Sequence, residues 1–171
     1  MTETDTRYQR ISEILHDSAR DENLLIAVET LVDIYTEEKT KKEHLEIPLS
    51  LFSHRKLGVL ETLVKCLKEN FSLNYSRIAH LLNRNDRTIW ATYNEAKNKL
   101  KKKFVIKNEK QQVPINIFSD RKLAPLESLV LYLKDEVRLE IKQIAELLKR
   151  NYRTIWLSYR NGIKKKTQNE E

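Results

Sequence analysis

The stretch Ile78-Ala79-His80-Leu81-Leu82-Asn83-Arg84-Asn85-Asp86-Arg87-Thr88-Ile89-Trp90 decides the fold. Ile78, Leu81 and Leu82 recur at helical spacing, and Ala79 is small enough to let a neighbouring helix approach. Asn83-Arg84-Asn85 then breaks the apolar pattern. Asn85 stands where an N-cap belongs, so a second helix begins there. Upstream, Asn74 is a suitable cap for a short helix from about Tyr75 to Leu82. Two short helices joined by a tight polar turn form the helix-turn-helix layout.

This stretch occurs twice. Sliding the chain along itself by about 66 positions aligns it without a gap, and roughly 25 of about 54 positions are identical, which identifies an internal duplication. Ile47-Pro48 falls on Val113-Pro114, and Arg55-Lys56-Leu57 on Arg121-Lys122-Leu123. Ile78-Ala79 falls on Ile144-Ala145, and Arg84-Asn85 on Arg150-Asn151. Arg87-Thr88-Ile89-Trp90 falls on Arg153-Thr154-Ile155-Trp156. A shared core explains the repeated leucines and isoleucines. It does not call for the repeated polar set of Arg84, Asn85, Arg87 and Thr88.

Each repeat opens on an alternating stretch, Ile47 to Phe52 and Val113 to Phe118, that reads as an extended arm or short strand. A first helix begins near Val59 and Pro125, with apolar stripes Leu60, Leu63, Val64, Leu67 and Leu126, Leu129, Val130, Leu133. The short second helix and the third helix after Asn85 or Asn151 follow. At about 100° per residue, Ile89, Tyr93, Ala96 and Leu100 of the third helix face inward. Arg87, Ala91, Asn94 and Asn98 face outward, with Trp90 on the flank. In the second copy the outward set is Arg153, Leu157, Arg160 and Lys164, with Trp156 beside it.

The predicted fold is therefore all-α: an N-terminal helical segment over 1–46, then two tandem tri- or tetrahelical helix-turn-helix domains over 47–106 and 113–167. In this layout the last helix enters the major groove of DNA. Arginine pairs with guanine and asparagine with adenine. The Lys-rich ends, Lys99 to Lys103 and Lys164 to Lys166, suit phosphates. The candidate DNA-binding residues are Arg84, Arg87, Thr88, Trp90, Ala91, Asn94, Asn98 and Lys101. Their counterparts are Arg150, Arg153, Thr154, Trp156, Leu157, Arg160, Lys164 and Lys165. Trp90 and Trp156 are expected to pack partly against the first helix, because tryptophan is usually largely buried; stacking on nucleic acid is the alternative.

The span Ile78 to Ile89 resembles the helix-turn-helix of sigma factor region 4 and of LuxR-type regulators. These share Ile-Ala-x-x-Leu, a turn, a small polar cap, Arg/Lys-Thr-Val and a basic tail. The likeness covers about 50 residues of each repeat. It implies that Arg87, Thr88 and Ala91 lie at DNA-contacting positions, and likewise Arg153, Thr154 and Leu157. Two features depart from the pattern. The turn has Asn83-Arg84 and Lys149-Arg150 in place of a glycine or small apolar residue, and Trp90 and Trp156 stand where those families carry a polar or basic side chain.

Charge divides the chain in the same way. The total is +7. Residues 1–46 carry roughly −6 and the remainder roughly +13. A basic body attracts polyanions, of which nucleic acid is the commonest. The acidic head reads as one or two amphipathic helices, with Tyr8, Ile11, Ile14 and Leu15 on one face and Leu24, Leu25, Val28, Leu31, Val32 and Tyr35 on another. Such a pair cannot bury its stripe alone. It is expected to self-associate into a homodimer, to pack on the body, or to hold a partner such as RNA polymerase or a regulatory protein.

Enzymatic chemistry finds no foothold. His16, His44, His54 and His80 are scattered without metal-ligand spacing, and the one cysteine, Cys66, has no histidine near it in sequence. Gly58 and Gly162 are the only glycines, so no phosphate loop exists. No cofactor or metal is expected. The N-terminus is acidic and unlike a signal peptide, and no apolar run approaches the ~20 residues that span a membrane. The expectation is a non-enzymatic, cytoplasmic, nucleoid-associated transcription regulator that binds double-stranded DNA. The rivals are a protein-interaction adaptor of the transcription machinery and a non-specific or RNA-binding protein.

Overall fold

The computed structural model describes residues 45–106 and 111–168. The chain divides into two units after Glu43, and every described residue belongs to the second. The helices expected over 1–46, and the self-association expected of them, lie almost wholly outside the described residues.

The unit is mostly helical, and its elements come in two parallel series. The first is strand β1 (Glu46–Pro48), a 3-10 turn (Leu49–Ser53), and helices α1 (Val59–Glu69), α2 (Tyr75–Leu81) and α3 (Asp86–Lys99). The second is β2 (Gln112–Pro114), a 3-10 turn (Ile115–Phe118), α4 (Pro125–Leu131, prolonged by a π turn over Tyr132–Glu136), α5 (Ile141–Leu147) and α6 (Tyr152–Thr167). The opening stretches are thus extended only at their start. Winding into a 3-10 turn lets Leu49, Leu51 and Phe52 all be buried, which strict alternation would forbid.

Local chemistry sets the helix starts. The Gly58 N–H donates to Glu61 Oε2 at 2.8 Å, and the Ala124 N–H to Glu127 Oε2 at 2.8 Å, so a carboxylate three residues inside each first helix reaches back to its entry. Asn74 Oδ1 accepts from the Arg77 N–H at 2.7 Å. Asn85 and Asn151 accept from the N–H groups of Arg87 and Arg153, each at 2.8 Å.

The ends of α2 and α5 are closed in the same way. The Arg84 N–H donates to Ala79 O at 2.8 Å and the Arg150 N–H to Ala145 O at 2.9 Å, six-to-one bonds that terminate each helix. Asn83 and Lys149 supply the left-handed residue this closure requires, both at φ 49°. The position is one that glycine fills most easily; asparagine tolerates it, and lysine bears a cost on the order of 1–2 kcal/mol. The cap of the next helix follows two residues on, which makes the connection tight.

Within each series the third helix lies across the first two. Leu63, Val64, Leu67, Ile78, Ala79, Leu82, Ile89 and Ala96 are buried together, as are Leu129, Val130, Leu133, Ile144, Ala145, Leu148 and Ile155. Each fully buried aliphatic side chain contributes about 1.5–3 kcal/mol. Polar clamps repeat as well. Lys99 Nζ donates to Glu61 Oε1, and Lys165 Nζ to Glu127 Oε2 at 2.7 Å. Tyr93 Oη donates to Glu69 Oε1 at 3.2 Å, and Tyr159 Oη to Asp135 Oδ1 at 3.1 Å.

The two series share one hydrophobic core. β1 and β2 pair antiparallel, Glu46 with Pro114, Ile47 with Val113 and Pro48 with Gln112. Flanking bonds mirror each other: the Leu49 N–H donates to Gln111 O at 3.1 Å, and the Ile115 N–H to Leu45 O at 2.9 Å. Below the ladder the Phe52 and Phe118 rings meet with centroids 5.9 Å apart.

Candidate nucleic-acid interface

Among the described residues, the outer sides of α3 and α6 are exposed. On α3, Arg87, Thr88, Ala91 and Asn98 are exposed and Asn94 is partly buried. On α6, Arg153, Thr154, Arg160 and Lys164 are exposed. Among the described residues, the side chains of Arg87, Thr88, Asn94, Asn98, Arg153, Thr154 and Lys164 make no hydrogen bond or ion pair. A shallow concavity beside α3 is lined by Asn85, Arg87, Thr88, Ala91, Thr92 and Glu95.

Both tryptophans are less buried than expected. Trp90 is 55% exposed and Trp156 is 42% exposed. The inward positions of each third helix are already filled by Ile89, Tyr93 and Ala96 or by Ile155, Tyr159 and Gly162, which leaves the indoles on the flank. Arg160 Cζ lies 5.5 Å from the Trp156 ring centroid, so the ring supports the guanidinium by a cation–π contact. Tyr152 and Leu157 extend this face with exposures of 55% and 39%.

Four candidate residues are placed differently from the rest. Arg84 and Arg150 turn toward the junction between the repeats. Arg150 Nη2 donates to Leu57 O, in the other repeat, at 3.1 Å. Arg84 is held below the usual arginine pKa, first by burial and then by the Arg121 guanidinium, which also belongs to the other repeat. Lys165 is held by Glu127 and is only partly exposed. Lys101 is exposed, but lies beyond the end of α3, where Leu100 turns extended at φ −140°.

The repeated polar residues therefore serve more than one purpose. Asn85 and Asn151 cap helices, and Arg84 and Arg150 sit at the junction. Lys99 and Lys165 fasten the third helix to the first. The Glu61 carboxyl shows what that fastening does. Burial alone would raise its pKa, but the ammonium of Lys99 and the Gly58 N–H hold it below the ordinary 4.5. Lys99 is correspondingly raised, chiefly by its bond to Glu61. The signal was available in the sequence: glutamate three residues into the first helix and lysine near the end of the third are identical in both copies.

Cys66 is fully buried, and burial followed by the nearby Glu69 charge pushes its thiol up to about 12. It is a core residue with no nucleophilic thiolate at neutral pH. Among the described residues no group of three His, Cys, Asp or Glu side chains could hold a metal ion, and no helix is long and apolar enough to cross a membrane. No protein-family model, curated protein or solved structure matches the chain.

Proposed function

We propose that the body of this protein is a non-enzymatic, sequence-specific DNA-binding unit, built from two helix-turn-helix repeats and acting in transcription control. The observation that carries the reading is the equivalent exposure of Arg87, Thr88 and Trp90 on α3 and of Arg153, Thr154 and Trp156 on α6. Both sets stand on a rigid helix directly after a tight turn, and both repeats are basic. Third helices enter major grooves, arginines and Asn94 read base edges, and Asn98, Lys101 and Lys164 approach phosphates. The resemblance to sigma region 4 and LuxR-type domains agrees with these roles. Cytoplasmic, nucleoid-associated localisation follows from the reading.

Fluorescence anisotropy of labelled duplexes with the full chain tests it. Affinity is expected to fall by about 10³–10⁵-fold between 50 and 200 mM salt if 6–10 phosphates are contacted. Failure to bind any duplex at 50 mM salt overturns it.

A second reading rests on the exposed apolar set Tyr152, Trp156 and Leu157, which suits docking on a protein of the transcription machinery. Recovery of RNA polymerase by the wild-type chain, lost in Leu157→Asp while duplex binding is absent throughout, would favour it.

A further inference from the structure

The repeats meet through equivalent residues, and this fixes the symmetry between them. Under the duplication Ile47 corresponds to Val113, and these two are direct partners in the antiparallel ladder. Glu46 pairs with Pro114 and Pro48 with Gln112, which is one relationship read from either side. The bonds from Leu49 to Gln111 and from Ile115 to Leu45 are exchanged by the same operation. Phe52 meets its own counterpart, Phe118, in a tilted ring contact. Across a groove, Gly58, Val59 and Leu60 at the entry of α1 confront their equivalents Ala124, Pro125 and Leu126 at the entry of α4.

A residue can lie opposite its own equivalent in an antiparallel ladder only if half a turn relates the two copies. Head-to-tail repetition would instead place equivalents one repeat apart along a common direction. Each repeat carries the same internal clamps, Glu61 to Lys99 and Glu127 to Lys165, so the operation that exchanges the strands also exchanges α3 and α6.

Resting on the DNA-binding reading above, we infer that the target is an inverted repeat with unlike halves, a pseudo-palindrome, although the coding order of the two domains is a direct repeat. The palindromic positions are those read by residues common to both helices, Arg87 with Arg153 and Thr88 with Thr154. The positions that break the palindrome are read by Ala91 and Asn94 in one half and by Leu157 and Arg160 in the other. Asparagine selects adenine, arginine selects guanine, and leucine suits a thymine methyl. The chain thus acts as a dimer fused into one polypeptide, whose halves are free to read different bases.

The test is selection of bound duplexes from a random pool by the full chain, followed by anisotropy on duplexes that carry the selected halves inverted or direct at equal spacing. An inverted motif is expected, and the inverted duplex should bind about 10²-fold tighter, because only it engages both helices at once. Enrichment of a direct repeat, of a single half, or equal affinity for the two arrangements overturns the inference while leaving DNA binding intact. Absence of any binding overturns both. A second arm grafts the α6 face onto α3 with Asp86→Tyr, Ala91→Leu, Asn94→Arg and Glu95→Asn. The motif of that folded variant should become a perfect palindrome; an unchanged asymmetric motif counts against the assignment of halves.

Discussion

The two repeats reach the same architecture with different interiors. In the first, Lys65 on α1 is fully buried; its ammonium pairs with Glu69 at 2.6 Å and lies 6.0 Å from the Phe104 ring centroid. Phe104 is itself buried, and its carbonyl accepts from Asn70 Nδ2 at 2.9 Å. In the second repeat the equivalent of Lys65 is Leu131, a plain core residue. The third helix adjusts accordingly. Ala96 is buried in α3, whereas α6 has Gly162, where an added Cβ would lie 2.8 Å from Leu131 Cδ1 and 3.0 Å from Cγ. The branched leucine takes up the space that a methyl group on the third helix would need. A buried charge with a local partner and an apolar side chain with a glycine opposite are two solutions to one packing position.

The largest effect should come from isolating the buried charge. Glu69→Ala leaves the Lys65 ammonium unpaired and removes the acceptor of Tyr93, and is expected to destabilise the protein by about 3–5 kcal/mol in urea unfolding. Lys65→Met in the same background should recover most of the loss. An equal loss in both backgrounds would mean that the pairing contributes little. A smaller effect is expected at the opposite helix. Gly162→Ala should cost about 1–3 kcal/mol through overpacking against Leu131, despite the helix propensity it gains. Ala96→Gly should cost about 1 kcal/mol, from propensity alone. If Gly162→Ala proves stabilising, the close approach of α6 to Leu131 is not what fixes glycine there.

The smallest effect is in the pH response. Glu61 has its folded pKa below 4.5, so its contribution is present above the ordinary carboxylate range and is lost as pH falls through the lowered value. Lys99 is raised above 10.5, so its contribution persists at neutral pH and is lost as pH rises through the raised value. Glu61→Gln should therefore flatten the acid limb of a Tm-versus-pH curve relative to wild type. An unchanged acid limb would show that the clamp is screened to insignificance.

Much of this was legible in the sequence because it is local. The starts at Val59 and Pro125 and the caps at Asn74, Asn85 and Asn151 depend on a few neighbouring residues. The inward stripe Ile89, Tyr93, Ala96 and Leu100 depends only on the helical period. The strand pairing, the exposure of the tryptophans and the inward turn of Arg84 and Arg150 depend on what comes from the other repeat or on which positions other side chains have already filled. Repetition itself misleads here. A residue that meets the other repeat at a twofold junction is duplicated as faithfully as one that meets a ligand. The buried Lys65 was invisible for a related reason: an i,i+4 pair such as Lys65 and Glu69 is equally at home on a solvated helix face, and the covering ring of Phe104 arrives from far along the chain.

The short ladder has a further consequence. Among the described residues the ribbon has only two strands, each with one outer edge that no described strand pairs, and such edges can recruit strands from other molecules. Here each strand is three residues long and ends in a proline, Pro48 or Pro114. A proline has no N–H to offer, so neither edge can template an added strand at that position. The ribbon thus clasps the two repeats together, and each proline withholds one donor from the outer edge of its own strand.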